Sequence, residues 1–213
     1  MTDKTGMERL IVGPLGTNCF IVWCKATMEA IIIDPGGDAG RIVDSVSALG
    51  VKPVKIVLTH GHSDHMASAA KLKDEYDIPL ALHEDDMETM KRSVADAPMW
   101  GMGRVDQPEV ETLLHDGDEI GFGDVTAEVI HTPGHTLGGI CLYVDGVLYA
   151  GDTLFSGSIG RTDFFGGDMD TILDSIRERL FTLPDETEVH CGHGPSTSIG
   201  RERSVNPFLN GTY

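Results

Sequence analysis

Apolar residues recur along the chain in two rhythms. Short runs rich in β-branched and aromatic residues, Phe20 to Trp23, Ala30 to Ile33, 54–58 and 79–82, read as buried strands. Between them, spacings of three and four residues mark helices. Asp38 to Leu49 carries Ile42, Val43, Val46 and Leu49 on one face and meets a stop at Gly50. A second helical segment spans Ala67 to Glu75, and a third starts at Glu84. Then the pattern changes. Glu119 to Ile130 and Gly139 to Ala150 alternate with period two, as antiparallel strands do, and Asp145-Gly146 supplies a hairpin turn. A helix over Asp168 to Phe181 and a final strand at 187–191 close this half. Two strand-rich halves with helices outside predict an α/β protein of two sheets packed face to face between helical layers, an αββα sandwich.

Length and charge narrow the picture. The 213 residues are ample for one domain with a buried core, expected to span 1–213. The net charge of −18 disfavours non-specific binding to nucleic acid or anionic membrane. No apolar run approaches the roughly 18 residues of a membrane span, and nothing before Leu10 resembles a signal peptide. Cys19, Cys24, Cys141 and Cys191 show no C-x-x-C pairing and fall mostly in strand-like segments. Reduced thiols and a cytoplasmic location are the expectation.

The chemistry concentrates in Thr59-His60-Gly61-His62-Ser63-Asp64-His65, directly after the strand-like Lys55-Ile56-Val57-Leu58. His60 and His62 are two apart and fall on one side of an extended segment. Asp64 and His65 come where the loop turns into the helix that follows. Imidazole and carboxylate are the ligands of zinc, iron and manganese sites. Three later turns add to the set, each after an apolar run and beside glycine. They carry His135 in Thr132-Pro133-Gly134-His135, Asp152 in Ala150-Gly151-Asp152, and His193 in Cys191-Gly192-His193-Gly194.

In this order the pieces resemble the metallo-β-lactamase superfamily, whose pattern is a strand-end H-x-H-x-D-H followed by later His, Asp and His. The likeness runs from the Asp34-Pro35-Gly36-Gly37 turn to Gly194. It implies an αββα sandwich with the site at one edge between the sheets. It also implies two divalent metal ions, zinc first, with iron or manganese as alternatives. One ion falls to His60, His62 and His135 and the other to Asp64, His65 and His193, with Asp152 bridging. A hydroxide generated on the ions would attack an electrophilic carbon, and Asp64 would orient the water or carry a proton. Asp34 would hydrogen-bond near the ligand loop rather than serve only as a turn former.

Within the superfamily, Gly151-Asp152-Thr153-Leu154-Phe155, Gly157-Ser158-Ile159-Gly160-Arg161-Thr162-Asp163 and Asn206-Pro207-Phe208-Leu209 look like short bacterial glyoxalase II enzymes, the hydroxyacylglutathione hydrolases. The implied substrate is a small-molecule thioester of the S-lactoylglutathione kind. The long enzymes of that group add a C-terminal helical domain that helps bind glutathione, and no such domain is expected here. Persulfide dioxygenases of the same superfamily share a Gly-Arg-Thr-Asp run and use a single iron, so they are the alternative reading. A non-catalytic binding module is a third, disfavoured because no ligand is missing.

Arg161 has two readings, an ion pair with Asp163 or Asp168, or a contact to a substrate carboxylate; the second makes it the substrate-binding candidate. His83, His115, His131 and His190 read as ordinary histidines, and Cys191 as a packed strand-end thiol. The stretch from Ala97 to Arg104 breaks the periodic pattern, as a lid over an acyl group or an oligomer contact would.

Overall fold

The computed structural model describes residues 4–211. The first half runs β1 (Thr5–Val12), β2 (Thr17–Cys24), β3 (Glu29–Ile33), α1 (Ala39–Leu49), β4 (Lys52–Val57), α2 (Ser63–Met66), α3 (Ala69–Tyr76), β5 (Leu80–His83), α4 (Met87–Asp96) and β6 (Thr112–Leu114). The second half runs β7 (Glu119–Phe122), β8 (Val125–His131), β9 (Ile140–Val144), β10 (Val147–Gly151), β11 (Leu154–Phe155), β12 (Ser158–Ile159), α5 (Met169–Glu178), β13 (Glu188–Cys191), β14 (Thr197–Ser198) and α6 (Ile199–Val205). One six-stranded sheet is ordered β1-β2-β3-β4-β5-β6, the other β14-β13-β10-β9-β8-β7, and β11 pairs with β12 in a small hairpin.

Three apolar interfaces make the four layers. Period-two alternation sends Phe20, Val22, Ile31 and Ile33 toward Ala127, Val129, Leu142 and Tyr149 of the other sheet. Their neighbours Cys19, Ile21, Ala30 and Ile32 point the other way, onto Ile42, Val46 and Leu72 of α1 and α3. On the far side Cys141, Leu148 and Val189 pack on Ile172 and Ile176 of α5 and Ile199 of α6. Strands apolar on both faces are what a sheet covered on both sides requires. The αββα expectation is therefore met, and the superfamily fold with it.

Local departures have local causes. The helix expected over 67–75 is split into α2 and α3, because the Ser68 N–H bonds the Pro35 carbonyl at 2.9 Å instead of continuing α2. Asp64 and His65 thus lie inside a single helical turn. The helix expected over 168–181 begins at Asp168, whose carboxylate accepts from the Thr171 N–H at 2.8 Å. It ends in a separate 3₁₀ turn, Leu180–Thr182. The strand at 187–191 is not final, since β14 and α6 follow it.

The parallel run of β3, β4, β5 and β6 sets the stage for the site. Their carboxyl ends lie along one sheet edge, reached through the crossovers α1, α3 and α4. Loops at such ends have backbone free to approach a ligand. The four cysteines are buried free thiols. Among the described residues, no helix is long and apolar enough to cross a membrane.

Candidate metal centre

Four loops bring seven side chains to one edge between the sheets. His60, His62, Asp64 and His65 follow β4, His135 follows β8, Asp152 follows β10, and His193 follows β13. His60, His62 and His135 form one group whose ligand atoms all lie within 4.8 Å of one another, and Asp64, His65 and His193 form another. His62 Nδ1 and His135 Nε2 are 3.0 Å apart in the first, and His65 Nε2 and His193 Nε2 are 3.3 Å apart in the second. Asp152 spans both. Its Oδ1 is 3.5 Å from His65 Nε2, and its Oδ2 is 3.7 Å from both His135 Nε2 and His193 Nε2.

The outer hydrogen bonds select the ring nitrogens that face inward. Thr59 Oγ1 donates to Asp34 Oδ2 at 2.6 Å, so it accepts from His60 Nδ1 at 3.1 Å. His65 Nδ1 donates to Asp34 Oδ2 at 2.9 Å, and His135 Nδ1 donates to the Arg161 carbonyl at 2.7 Å. Each ring therefore leaves its Nε2 directed toward the centre, the atom a cation would take. His60 Nε2 and Asp152 Oδ1 are buried without any hydrogen-bond partner. Orphaned lone pairs of this kind are costly unless a cation takes them. The donor set, nitrogen-rich in one triad and mixed in the other, suits a binuclear metal site.

Charge follows the same division. Burial, then the neighbouring imidazoles, hold His60 well below the ordinary histidine value. Burial, then His135, pushes His62 down to about 3. Both rings are thus neutral and ready to ligate. Around the second triad burial is outweighed. Asp64, Asp152 and Asp34 raise His65 to about 10 against it, and the Asp64 bond and Asp152 raise His193. In return His65 and His193 hold the Asp64 carboxyl below the usual range despite its burial.

Main-chain geometry makes room for this density. A Cβ at Gly192 would lie 2.2 Å from Asp152 Oδ1, so only glycine can precede His193. Thr17 and Asn18, at the start of β2, also support the site. Thr17 Oγ1 donates to Asp64 Oδ2 at 3.2 Å, and Asn18 Nδ2 donates to the Cys191 and Gly194 carbonyls at 2.9 Å each. Neither residue was anticipated from the chain pattern, and no motif there marks them. The same holds for Thr59, beyond its place at the head of the motif.

A cavity of about 460 Å³ opens over the cluster. His62, Asp64, His135, Asp152 and His193 form its floor, and Leu15, Met99, Trp100, Phe155, Phe164 and Phe165 its apolar wall. The irregular 97–104 stretch thus contributes Met99 and Trp100 to the mouth, where Trp100 meets Phe164 edge-on at 5.8 Å. Arg161 also lines the cavity, but Asp163 holds its guanidinium through two bonds of 2.9 and 2.8 Å. Asp168, the other acidic residue the sequence offers it, caps α5 instead.

The remaining histidines lie apart from this centre. His190 bonds Ser196 Oγ at 2.8 Å, and His115 faces Glu84 at 3.2 Å. His83 stacks on His131 with ring centroids 4.2 Å apart and planes 8° from parallel. His83, Asp85 and His131 do form a further group within 4.8 Å. Parallel rings aim their lone pairs side by side rather than at one point, which suits stacking better than shared ligation.

Residues 12–193 match the family model described as Metallo-beta-lactamase superfamily. The chain belongs to that superfamily. It is 38% identical to "Probable metallo-hydrolase YqgX" of Bacillus subtilis, over 96% of this chain and 97% of that protein. It is 36% identical to "Hydroxyacylglutathione hydrolase GloC" of Haemophilus influenzae, over 96% of this chain and 98% of that one. A solved structure, TTHA1623 in a di-iron-bound form, superposes with a TM-score of 0.87 at 35% identity, over 95% of this chain and 100% of its own. These matches place the chain among metallo-hydrolases of a fold that suits a binuclear centre.

Proposed function

We propose that the protein hydrolyses small-molecule thioesters with two divalent metal ions, on a 2-hydroxyacylglutathione-type substrate such as S-lactoylglutathione. The observation that carries the metal part of this reading is the pair of orphaned buried atoms, His60 Nε2 and Asp152 Oδ1, at the heart of the cluster. His60, His62 and His135 would hold one ion, Asp64, His65 and His193 the other, and Asp152 would serve both. When bound, such ions would lower the pKa of a coordinated water and polarise a carbonyl, the two needs of thioester hydrolysis.

The chain's own residues do the rest. Asp34 fixes the tautomer of His65 directly, and that of His60 through Thr59. Asp64 faces the cavity as well as the second triad, where its carboxylate would orient the water or carry a proton while it binds metal. The apolar wall screens the acyl group from bulk water, and Arg161 meets a substrate carboxylate. The net charge of −18 disfavours nucleic acid as a partner, which fits a small-molecule substrate. Similarity to the Haemophilus hydroxyacylglutathione hydrolase supports the substrate class. Zinc is the expected metal. The di-iron form of a similar structure makes iron an alternative, beside manganese. The runner-up reading is a persulfide dioxygenase that would use a single iron held by His60, His135 and Asp152 or a similar set.

One experiment decides between them. Zinc, iron and manganese are counted per purified chain, and S-D-lactoylglutathione hydrolysis is assayed beside persulfide-dependent oxygen uptake. Two ions per chain with thiol release support the hydrolase. A single iron with oxygen uptake replaces it by the dioxygenase.

A further inference from the structure

Asp86 is fully buried between β5 and α4. It occupies the N-cap of α4, yet its side chain makes no capping bond to that helix's backbone. An N-cap aspartate ordinarily accepts from the second or third N–H of its own helix. Here the carboxylate turns outward, to two other loops. Oδ2 accepts from the Gly61 N–H at 2.7 Å and from Thr136 Oγ1 at 2.9 Å, and Oδ1 accepts from the Gly138 N–H at 2.8 Å. Thr89 Oγ1 adds a longer bond to Oδ1 at 3.2 Å.

The identity of those partners gives the arrangement its meaning. Gly61 separates His60 from His62, and Thr136 follows His135. A single buried carboxylate thus joins the two loops that carry the first triad. The packing is equally close. A Cβ at Gly61 would lie 2.8 Å from the Asp86 carbonyl oxygen, and one at Gly138 would lie 2.7 Å from the Asp86 nitrogen. Both loops are pressed onto the backbone of this one residue.

We propose that Asp86 is a positioning residue for the first triad, setting the spacing between the His60–His62 loop and the His135 loop and thereby the affinity for the ion held there. This rests on the reading that the two triads bind metal. Ionised acceptors make stronger hydrogen bonds than neutral ones, so the clamp resists the spreading of the loops. Outer-shell partners of this kind commonly govern metal affinity by about 10–100-fold.

Zinc binding to the wild-type chain and to Asp86→Asn, Thr136→Val and Thr89→Val is measured in metal-buffered solutions, together with the melting temperature of each metal-free protein. Asp86→Asn is expected to weaken one of two zinc equivalents by about 10–100-fold and to leave the other unchanged. Thr136→Val, which removes one donor on the His135 side, weakens the same equivalent by about tenfold. Thr89→Val, which removes a bond to Asp86 Oδ1 and no hydrogen bond from either metal loop, lowers the melting temperature but keeps wild-type zinc affinity. Should Asp86→Asn fail to fold, the contrast between the two threonine variants decides. Wild-type affinity in Thr136→Val, or equal weakening by Thr89→Val, overturns the positioning role. A wild-type chain that binds no zinc, iron or manganese would strike instead at the metal reading on which it rests.

Discussion

His65 donates its Nδ1 proton to Asp34 Oδ2 at 2.9 Å, and both side chains are closed to solvent. The same carboxylate accepts from the Thr59 N–H at 2.7 Å and the Thr59 hydroxyl at 2.6 Å. One acidic group thereby orients a ring in each triad, His65 directly and His60 through Thr59.

Asp34→Asn tests that double duty. Asp34 has a φ of 50°, a left-handed conformation that asparagine tolerates, so the backbone should survive the change. The amide replaces one accepting oxygen by an NH2 donor, which leaves buried donors at that end unpaired. Metal affinity should fall by about 10–100-fold. The metal-free protein should lose about 1–3 kcal/mol, read by denaturant unfolding. Unchanged metal affinity would reduce Asp34 to a turn former.

Removal of metal with a strong chelator should abolish hydrolysis, and return of a divalent transition metal should restore it. Stability should fall too, because the imidazoles and carboxylates of the two triads would lose the cations that pair them. Calorimetry with and without chelator checks the second point. Full activity in a demonstrably metal-free sample would remove the basis of the hydrolase reading.

The site was largely legible in the chain because its groups sit at strand ends, where an apolar run hands over to glycine and a polar turn. Such signals are local. The supports were not legible, because their roles arise from distant pairing. Asn18 reaches the Cys191 carbonyl across a sequence separation of 173, and nothing in Gly16-Thr17-Asn18 announces it. The same reasoning covers β1, an edge strand whose faces are mostly half-exposed, so its alternation is weak. It covers α6 as well, where seven residues give too little periodicity and the Ser198 cap becomes meaningful only in three dimensions. Arg161 shows the reverse case. The chain offered Asp163 and Asp168 as partners, and helix capping by Asp168 left Asp163 to take the guanidinium.

Asp152→Ala should lower turnover by several orders of magnitude, since one carboxylate faces both triads. His115→Ala, at an exposed ring, should leave activity intact. His190→Ala should cost about 1–3 kcal/mol of stability through its lost bond to Ser196, with activity retained in the folded fraction. If the His190 variant proved as inactive as the Asp152 variant, the last ligand would have to be reassigned from His193.

The stacked His83 and His131 predict a pH effect outside the metal centre. Burial, then the neighbouring His131, holds His83 below its ordinary value of 6.5, against the pull of Asp85 and Asp86; His115 adds to the lowering. An unfolded chain takes up this proton near pH 6.5, while the folded chain resists it. The unfolded state then binds more protons, so stability falls as pH drops below about 6.5. His83→Asn should flatten this part of the slope between pH 7.5 and 5.5, measured by urea unfolding. A variant with the wild-type slope would show that His83 is not the group responsible.

Arg161 is the most exposed test of the substrate assignment. Its guanidinium lines the cavity, lies 4.3 Å over the Phe164 ring, and is already held by Asp163. A substrate carboxylate must therefore share the guanidinium with Asp163 or displace it, which lowers the net gain below that of a free arginine. The loss in Arg161→Ala should fall near the bottom of the roughly 1.5–3 kcal/mol range for charged hydrogen bonds, about a tenfold rise in KM. Turnover should change less, because the contact lies away from the reacting carbon and acts on bound substrate and transition state alike. Removing an exposed ion pair should alter stability by less than about 1 kcal/mol. Asp163→Asn, which frees the guanidinium, should lower KM for the same anionic substrate. Steady-state kinetics with S-D-lactoylglutathione read all three values, and unchanged kinetics in both variants would make the Arg161–Asp163 pair a feature of the surface alone.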